Sequence, residues 1–107
     1  MAEKLSASDL ACLSYNPFEV DRDSNCLRLR DRFVITRRPH VCTICREDIL
    51  ADQRVRARTE VNREARKTMT FYFCIFCCHA MAKSAEDDGR LIERRTQIGI
   101  EAAFADD

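Results

Sequence analysis

The chain has 107 residues, 34% of them charged and only 7% aromatic with no tryptophan, which suits one domain with a thin core. Domains of this size often need help from metal or disulfides. Eighteen basic and eighteen acidic side chains cancel. No apolar run approaches the ~20 residues of a membrane span, and the N-terminus MAEKLSASDLACLS lacks the apolar stretch of a secretory signal. The expectation is a reducing, cytoplasmic setting with no membrane partner.

Residues 4–14, KLSASDLACLS, read as a short helix capped by Ser6 or Ser8, with Leu10 and Leu13 three apart. Asn16-Pro17 breaks it, so residues 1–26 are predicted to be an extension, part helix and part loop. CLRLRDRFVITRR then alternates, with Leu27, Leu29, Phe33 and Ile35 marking a strand that Pro39 ends. In QRVRARTEV, residues 53–61, Val55, Ala57, Thr59 and Val61 share one face and Arg54, Arg56, Arg58 and Glu60 the other. TMTFYFC, residues 68–74, puts Met69, Phe71 and Phe73 on one face. These two segments read as an antiparallel hairpin, joined by the polar NREARK, which has neither Gly nor Pro to declare a turn type.

From Cys74 the chain turns helical. A helix stopping at Gly89 would place Glu86, Asp87 and Asp88 at its negative pole, which is unfavourable. Continuation to about Gln97 puts Arg94 and Arg95 there, pairs Glu86 with Arg90, and costs only ~1 kcal/mol for an internal Gly. One continuous helix is therefore predicted, with residues 87–107 as a helical, acidic tail.

The seven cysteines are Cys12, Cys26, Cys42, Cys45, Cys74, Cys77 and Cys78. Two Cys-x-x-Cys pairs in a reducing compartment point to metal rather than disulfides. Four thiolates, Cys42, Cys45, Cys74 and Cys77, match one tetrahedral Zn²⁺ per chain. The second pair sits at a helix start, where backbone amides soften thiolate charge. Cys78, His79 and His40 adjoin these positions and stay open as alternative ligands. The 28 residues between Cys45 and Cys74 exceed ordinary zinc-ribbon spacing, and a long hairpin accounts for them. The order of Cys knuckle, β-hairpin and helix resembles the treble-clef zinc finger over residues 42 to about 86. It implies a small α+β, treble-clef-like fold for residues 27–86, with a short N-terminal helix and strand extension and a helical C-terminal tail.

CTICREDI also opens like a RING finger. A RING needs eight ligands for two ions, and no Cys or His follows His79, so even a degenerate ligase is disfavoured. Four cysteines leave a zinc no open catalytic position. The hairpin holds no His for a His-Asn-His nuclease, and Gly89 and Gly99 are too few for a phosphate loop. The prediction is no enzyme and no small-molecule substrate. TRRPH before CTIC, the RVRART strand and the FYFCIFC return resemble small zinc-finger proteins of temperate bacteriophages and prophages, from about Phe33 to Ala82. That resemblance implies zinc, a bacterial host cytoplasm and a regulatory or host-directed role.

Charge is uneven. Residues 28–67 hold twelve basic and six acidic side chains, between flanks with an acidic excess. Arg54, Arg56 and Arg58 recur every two residues, about 6.5–7 Å apart on a strand, near the phosphate repeat. The predicted function is a regulatory module contacting nucleic acid through this row, with Arg63, Arg66 and Lys67 extending it around the turn. Arg28, Arg30, Arg37 and Arg38 add to it, and Tyr72 is available to stack on a base. The rival is an adaptor that binds a host or partner protein, favoured by the neutral net charge and acidic flanks.

Overall fold

The computed structural model describes residues 4–18 and 26–105, and Cys26 in its backbone alone. Helix α1 spans Ala7–Ser14, and the strands are β1 (Cys26–Ile35), β2 (His40–Val41), β3 (Asp48–Ile49), β4 (Arg54–Asn62) and β5 (Lys67–Phe73). Helices α2 (Ile75–Asp87) and α3 (Arg90–Ala105) follow. The molecule is a small α+β fold in which β4 is the centre of a three-stranded antiparallel sheet, order β1-β4-β5. Strands β2 and β3 form a separate two-stranded ribbon. No helix among the described residues is long and apolar enough to cross a membrane.

The α1 cap is Ser6, whose hydroxyl accepts from the Asp9 amide while Asp9 accepts from the Ser6 amide. Asp9 also takes two hydrogen bonds from Arg54, at 3.0 and 3.1 Å. These bonds, Arg54 first and the Ser6 amide second, hold its carboxyl down at about 2. The same aspartate therefore starts the helix and ties it to β4. Leu10 faces solvent, and Cys12 is the α1 residue that is buried. Cys12 packs in one cluster with Phe73, Cys78, Ala80, Met81 and Ile92, so α1, α2 and α3 share a core with the sheet.

The sheet corrects the predicted assignment of faces. The register sets Arg56 opposite Phe33 and Phe73, and Arg58 opposite Asp31 and Phe71. The side of β4 bearing the arginines is therefore the side bearing the large aromatics, and the helices cover it. Arg56 is 0% exposed, Arg58 8% and Glu60 1%. Burying Phe71 and Phe73 removes far more apolar area from water than burying Ala57 and Thr59, so the aromatics choose the face and carry the arginines inside. Charge is met by charge there. Arg56 donates to both Asp31 oxygens at 2.8 and 2.6 Å and to the Cys12 carbonyl at 2.8 Å. Arg58 donates to Glu60 at 2.8 Å and to Asn16 at 3.3 Å. Arg54 lies 4.4 Å over the Phe33 ring.

The predicted single helix after Cys74 is two. Asp88 (φ 60) and Gly89 (φ 77) turn left-handed, and Asp87 accepts from the amides of Gly89 (2.9 Å) and Leu91 (3.2 Å). Asp87 satisfies the amides of Gly89, just before α3, and of Leu91 in its first turn, which offsets the acidic residues at the end of α2. The turn lets α3 fold back onto the 42–45 knuckle. At Gly99 a Cβ would lie 1.8 Å from the Ile44 carbonyl oxygen, so only glycine permits the approach.

Candidate metal centre

The knuckle between β2 and β3 is built by the backbone. The Cys42 amide donates to the Glu47 carbonyl (2.9 Å), and the Arg46 amide to the Cys42 carbonyl (3.0 Å). Arg46 takes the left-handed conformation, φ 67, that closes the turn. The second pair rides on the β5–α2 junction. Cys74 is the α2 N-cap, its sulfur accepting from the Cys77 amide at 3.4 Å. The Cys74 amide donates to the Cys42 sulfur at 3.3 Å. A strand end, a helix start and a knuckle thus converge, with Ile49, Val55 and Ile98 packed around them.

Cys42, Cys45, Cys74 and Cys77 are all buried and free of disulfides, and their four sulfurs lie within 4.8 Å of one another. Cys42 to Cys77 and Cys45 to Cys74 are each 3.6 Å. A tetrahedral ion with metal–sulfur bonds near 2.3 Å has sulfur–sulfur edges of roughly 3.8 Å. The four predicted ligands therefore already have the separation that one metal ion requires. The alternatives do not join them. Cys78 sits in the other core cluster, its thiol donating to the Phe73 carbonyl at 3.3 Å; His79 is exposed; His40 stacks on Tyr72.

Electrostatics favour a cation there. Hydrogen bonds from the Cys74 and Cys77 thiols drive the Cys42 thiol far below its ordinary range. Cys74 is pushed up to about 11 by its bond to Cys42, and Cys77 higher still by Cys42 and Cys74. A second negative charge beside the Cys42 thiolate is repelled, so without a cation Cys74 and Cys77 keep their protons. Arg95 of α3 adds a positive charge at the rim, with Nη2 3.9 Å from the Cys74 sulfur and 3.1 Å from Glu47. Burial opposes the Arg95 charge, but bonding to the Cys77 and Cys45 sulfurs outweighs it and raises its pKa. Its Nε is buried with no hydrogen-bond partner, consistent with a guanidinium held beside an anionic metal–thiolate centre.

The predicted basic residues divide. Arg54, Arg56 and Arg58 are held by acids as described. Arg63, Arg66 and Lys67 are exposed around the hairpin turn, which Asn62 closes by accepting from the Ala65 amide. The opposite side of the sheet carries a groove of about 460 Å³ lined by Arg30 and Arg32 of β1, Arg37 and Arg38 of the following loop, His40 and Tyr72. Its floor is Ala57, Thr59 and Thr70, and no acidic residue among the described residues lines it. Arg32 was not among the basic residues singled out from sequence. The β1 alternation itself carried the signal, since Arg28, Arg30 and Arg32 recur every second residue. Comparison with known proteins found no match to a family model, a curated protein or a solved structure.

Proposed function

We propose that this protein is a non-enzymatic, zinc-stabilised regulatory module that contacts nucleic acid through the open face of its sheet. In this reading Cys42, Cys45, Cys74 and Cys77 hold one Zn²⁺, and knuckle, hairpin and helix α2 form a treble-clef-like finger. A four-sulfur tetrahedral site suits zinc or iron. Zinc is the choice because two Cys-x-x-Cys pairs that supply four protein ligands match the donor set of a closed structural zinc site. Zinc bound there would supply stability: it holds the β5–α2 junction against the knuckle.

The observation that carries the nucleic-acid reading is the contrast between two sets of arginines. Arg54, Arg56 and Arg58 each have a carboxylate partner. Arg30, Arg32, Arg37 and Arg38 have none within ion-pair distance among the described residues, and all four are exposed around one groove. Unpaired arginines converging on a concave surface are a polyanion footprint. The interface is therefore moved from the predicted arginine row to the opposite face, with Arg63, Arg66 and Lys67 available at the hairpin tip.

The test is binding of a labelled oligonucleotide by fluorescence anisotropy across a salt series. Four phosphate contacts predict a slope of log K against log salt of about −2.8 for a single strand and about −3.6 for a duplex. The combined change Arg30→Ala, Arg32→Ala, Arg37→Ala and Arg38→Ala should flatten it. No binding at low salt, or binding indifferent to those four changes, refutes the reading and leaves the protein-adaptor alternative. Elemental analysis that finds iron, or no metal, refutes zinc.

A further inference from the structure

Beside the four arginines the groove holds an aromatic pair. The rings of His40 and Tyr72 are stacked, with centroids 3.7 Å apart and planes 16° from parallel. Both line the groove, and neither ring is fully buried. Tyr72 pairs with Ala57 across β4–β5, and Ala57 with Arg32 across β1–β4. The small Ala57 side chain therefore leaves space between the aromatic wall and the basic wall. Beyond it the Thr59 and Thr70 hydroxyls, 3.0 Å apart, form a polar floor. The groove volume falls within the roughly 300–1,000 Å³ of clefts that enclose small planar ligands.

We infer that this groove takes unpaired bases, so that the ligand is single-stranded nucleic acid. One base stacks on the Tyr72–His40 pair, and Arg30, Arg32, Arg37 and Arg38 hold its flanking phosphates. The inference rests on the proposed nucleic-acid reading and narrows it. A duplex keeps its bases stacked on each other and offers this face only phosphate and sugar, so the aromatic wall would go unused. A single strand can place a base in the slot, and stacking on an aromatic ring tolerates any base because every base has a π-face. The site has no dedicated set of donors and acceptors beyond two threonines, which fits stacking with weak sequence preference.

The chain has two tyrosines and no tryptophan, so Tyr15→Phe leaves Tyr72 as the sole tyrosine, and its emission is read by exciting at a wavelength phenylalanine does not absorb. In that background, titration with a 12-nucleotide single strand should quench the emission, because a base stacked in contact with the ring quenches its excited state. Anisotropy should run in parallel, with single-stranded DNA, single-stranded RNA, the matching duplex and a strand of abasic sites, all at one salt concentration. Stacking worth about 1–3 kcal/mol per base corresponds to a roughly 5- to 150-fold preference for the single strands over the duplex and the abasic strand. His40→Ala and Tyr72→Leu should remove that preference and leave duplex affinity unchanged, while Tyr72→Phe should retain it. If Tyr72→Leu fails to fold, quenching in the Tyr15→Phe background still decides the matter. Equal affinity for all four ligands with unquenched emission overturns the inference and leaves the nucleic-acid reading standing. No binding by any of them overturns both.

Discussion

The buried ion pair under α1 gives the sharpest test of how the sheet faces are assigned. Asp31→Asn preserves shape and removes one charge, leaving the Arg56 guanidinium at 0% exposure without the carboxylate that meets it at 2.8 and 2.6 Å. Burial disfavours the Arg56 charge, and the Asp31 carboxylate more than offsets that cost. Breaking a buried pair on one side typically costs about 3–5 kcal/mol. A chain of 107 residues has a total stability of only about 5–16 kcal/mol, so the loss is a large share. At about 4 °C per kcal/mol for a domain of this size, Tm should fall by about 12–20 °C, measured by circular dichroism with zinc held in fixed excess. The double change Asp31→Leu with Arg56→Met should recover most of that loss, because an apolar pair of similar volume often replaces a buried ion pair without penalty. Arg56→Met, where folded, should keep oligonucleotide affinity, since Arg56 faces the helices and not the groove. A Tm change under about 3 °C for Asp31→Asn would refute the burial argument. A loss of affinity in Arg56→Met as large as in Arg32→Ala would refute the assignment of faces.

Three further outcomes follow from the metal centre and the α3 contact. Cys77→Ser should lose the metal and the cooperative fold, whereas Cys78→Ser should keep one equivalent by elemental analysis, because Cys78 packs in the other cluster. Metal affinity, measured by chelator competition, should rise from pH 6 to pH 8: Cys74, at about 11, and Cys77, higher still, hold their protons at neutral pH in the metal-free protein. Each proton released on binding contributes up to a tenfold gain per pH unit, and a flat profile would contradict that ligand set. Gly99→Ala should destabilise the protein despite the better helix propensity of alanine, because its Cβ meets the Ile44 carbonyl oxygen at 1.8 Å. Chemical denaturation showing equal or greater stability would place α3 away from the knuckle.

The cysteine spacing made the metal site legible, because a two-residue gap leaves few ways to arrange two sulfurs and the second pair sat where strand periodicity gave way to helix. The pairing of residues 53–61 with 68–74 was legible for a similar reason. Which face pointed inward was not. An alternating strand reads the same under inversion, and charge alone points the arginine row outward. The deciding quantity lay on the partner strand, where Phe71 and Phe73 fall in register with Arg58 and Arg56. Asp31 and Glu60, in the same cluster of charges, were the signal that buried arginines would find partners. The break at Asp88-Gly89 was obscured because acids at the end of α2 oppose its dipole, whereas the Asp87 side chain bonds the Gly89 amide before α3 and the Leu91 amide in its first turn. Gly99 gave no signal by period, although a glycine inside a helical stretch is itself a hint of close packing.

The metal centre and the groove share one piece of geometry, which leads to a last prediction. His40 stands two residues before Cys42, and Tyr72 two residues before Cys74. Each ring sits on a strand that ends one residue before a cysteine, so drawing Cys42 and Cys74 to one point, with the Cys74 amide 3.3 Å from the Cys42 sulfur, also draws the two rings together. The Thr43 amide, donating to the Tyr72 carbonyl at 2.9 Å, ties the same two segments. Structural zinc contributes an apparent ~10–16 kcal/mol in small fingers, comparable with the whole stability of a domain this size. Removing it should separate the rings along with the sulfurs. Chelation should therefore abolish the preference for single strands over duplex, leaving only the weak, salt-sensitive attraction of an unfolded basic segment. Restoring zinc should restore the preference, with circular dichroism and anisotropy recovering at the same metal ratio. A chelated, metal-free protein that still prefers single strands would show that the stacked pair is held by the sheet alone, and the coupling between metal and groove would be wrong.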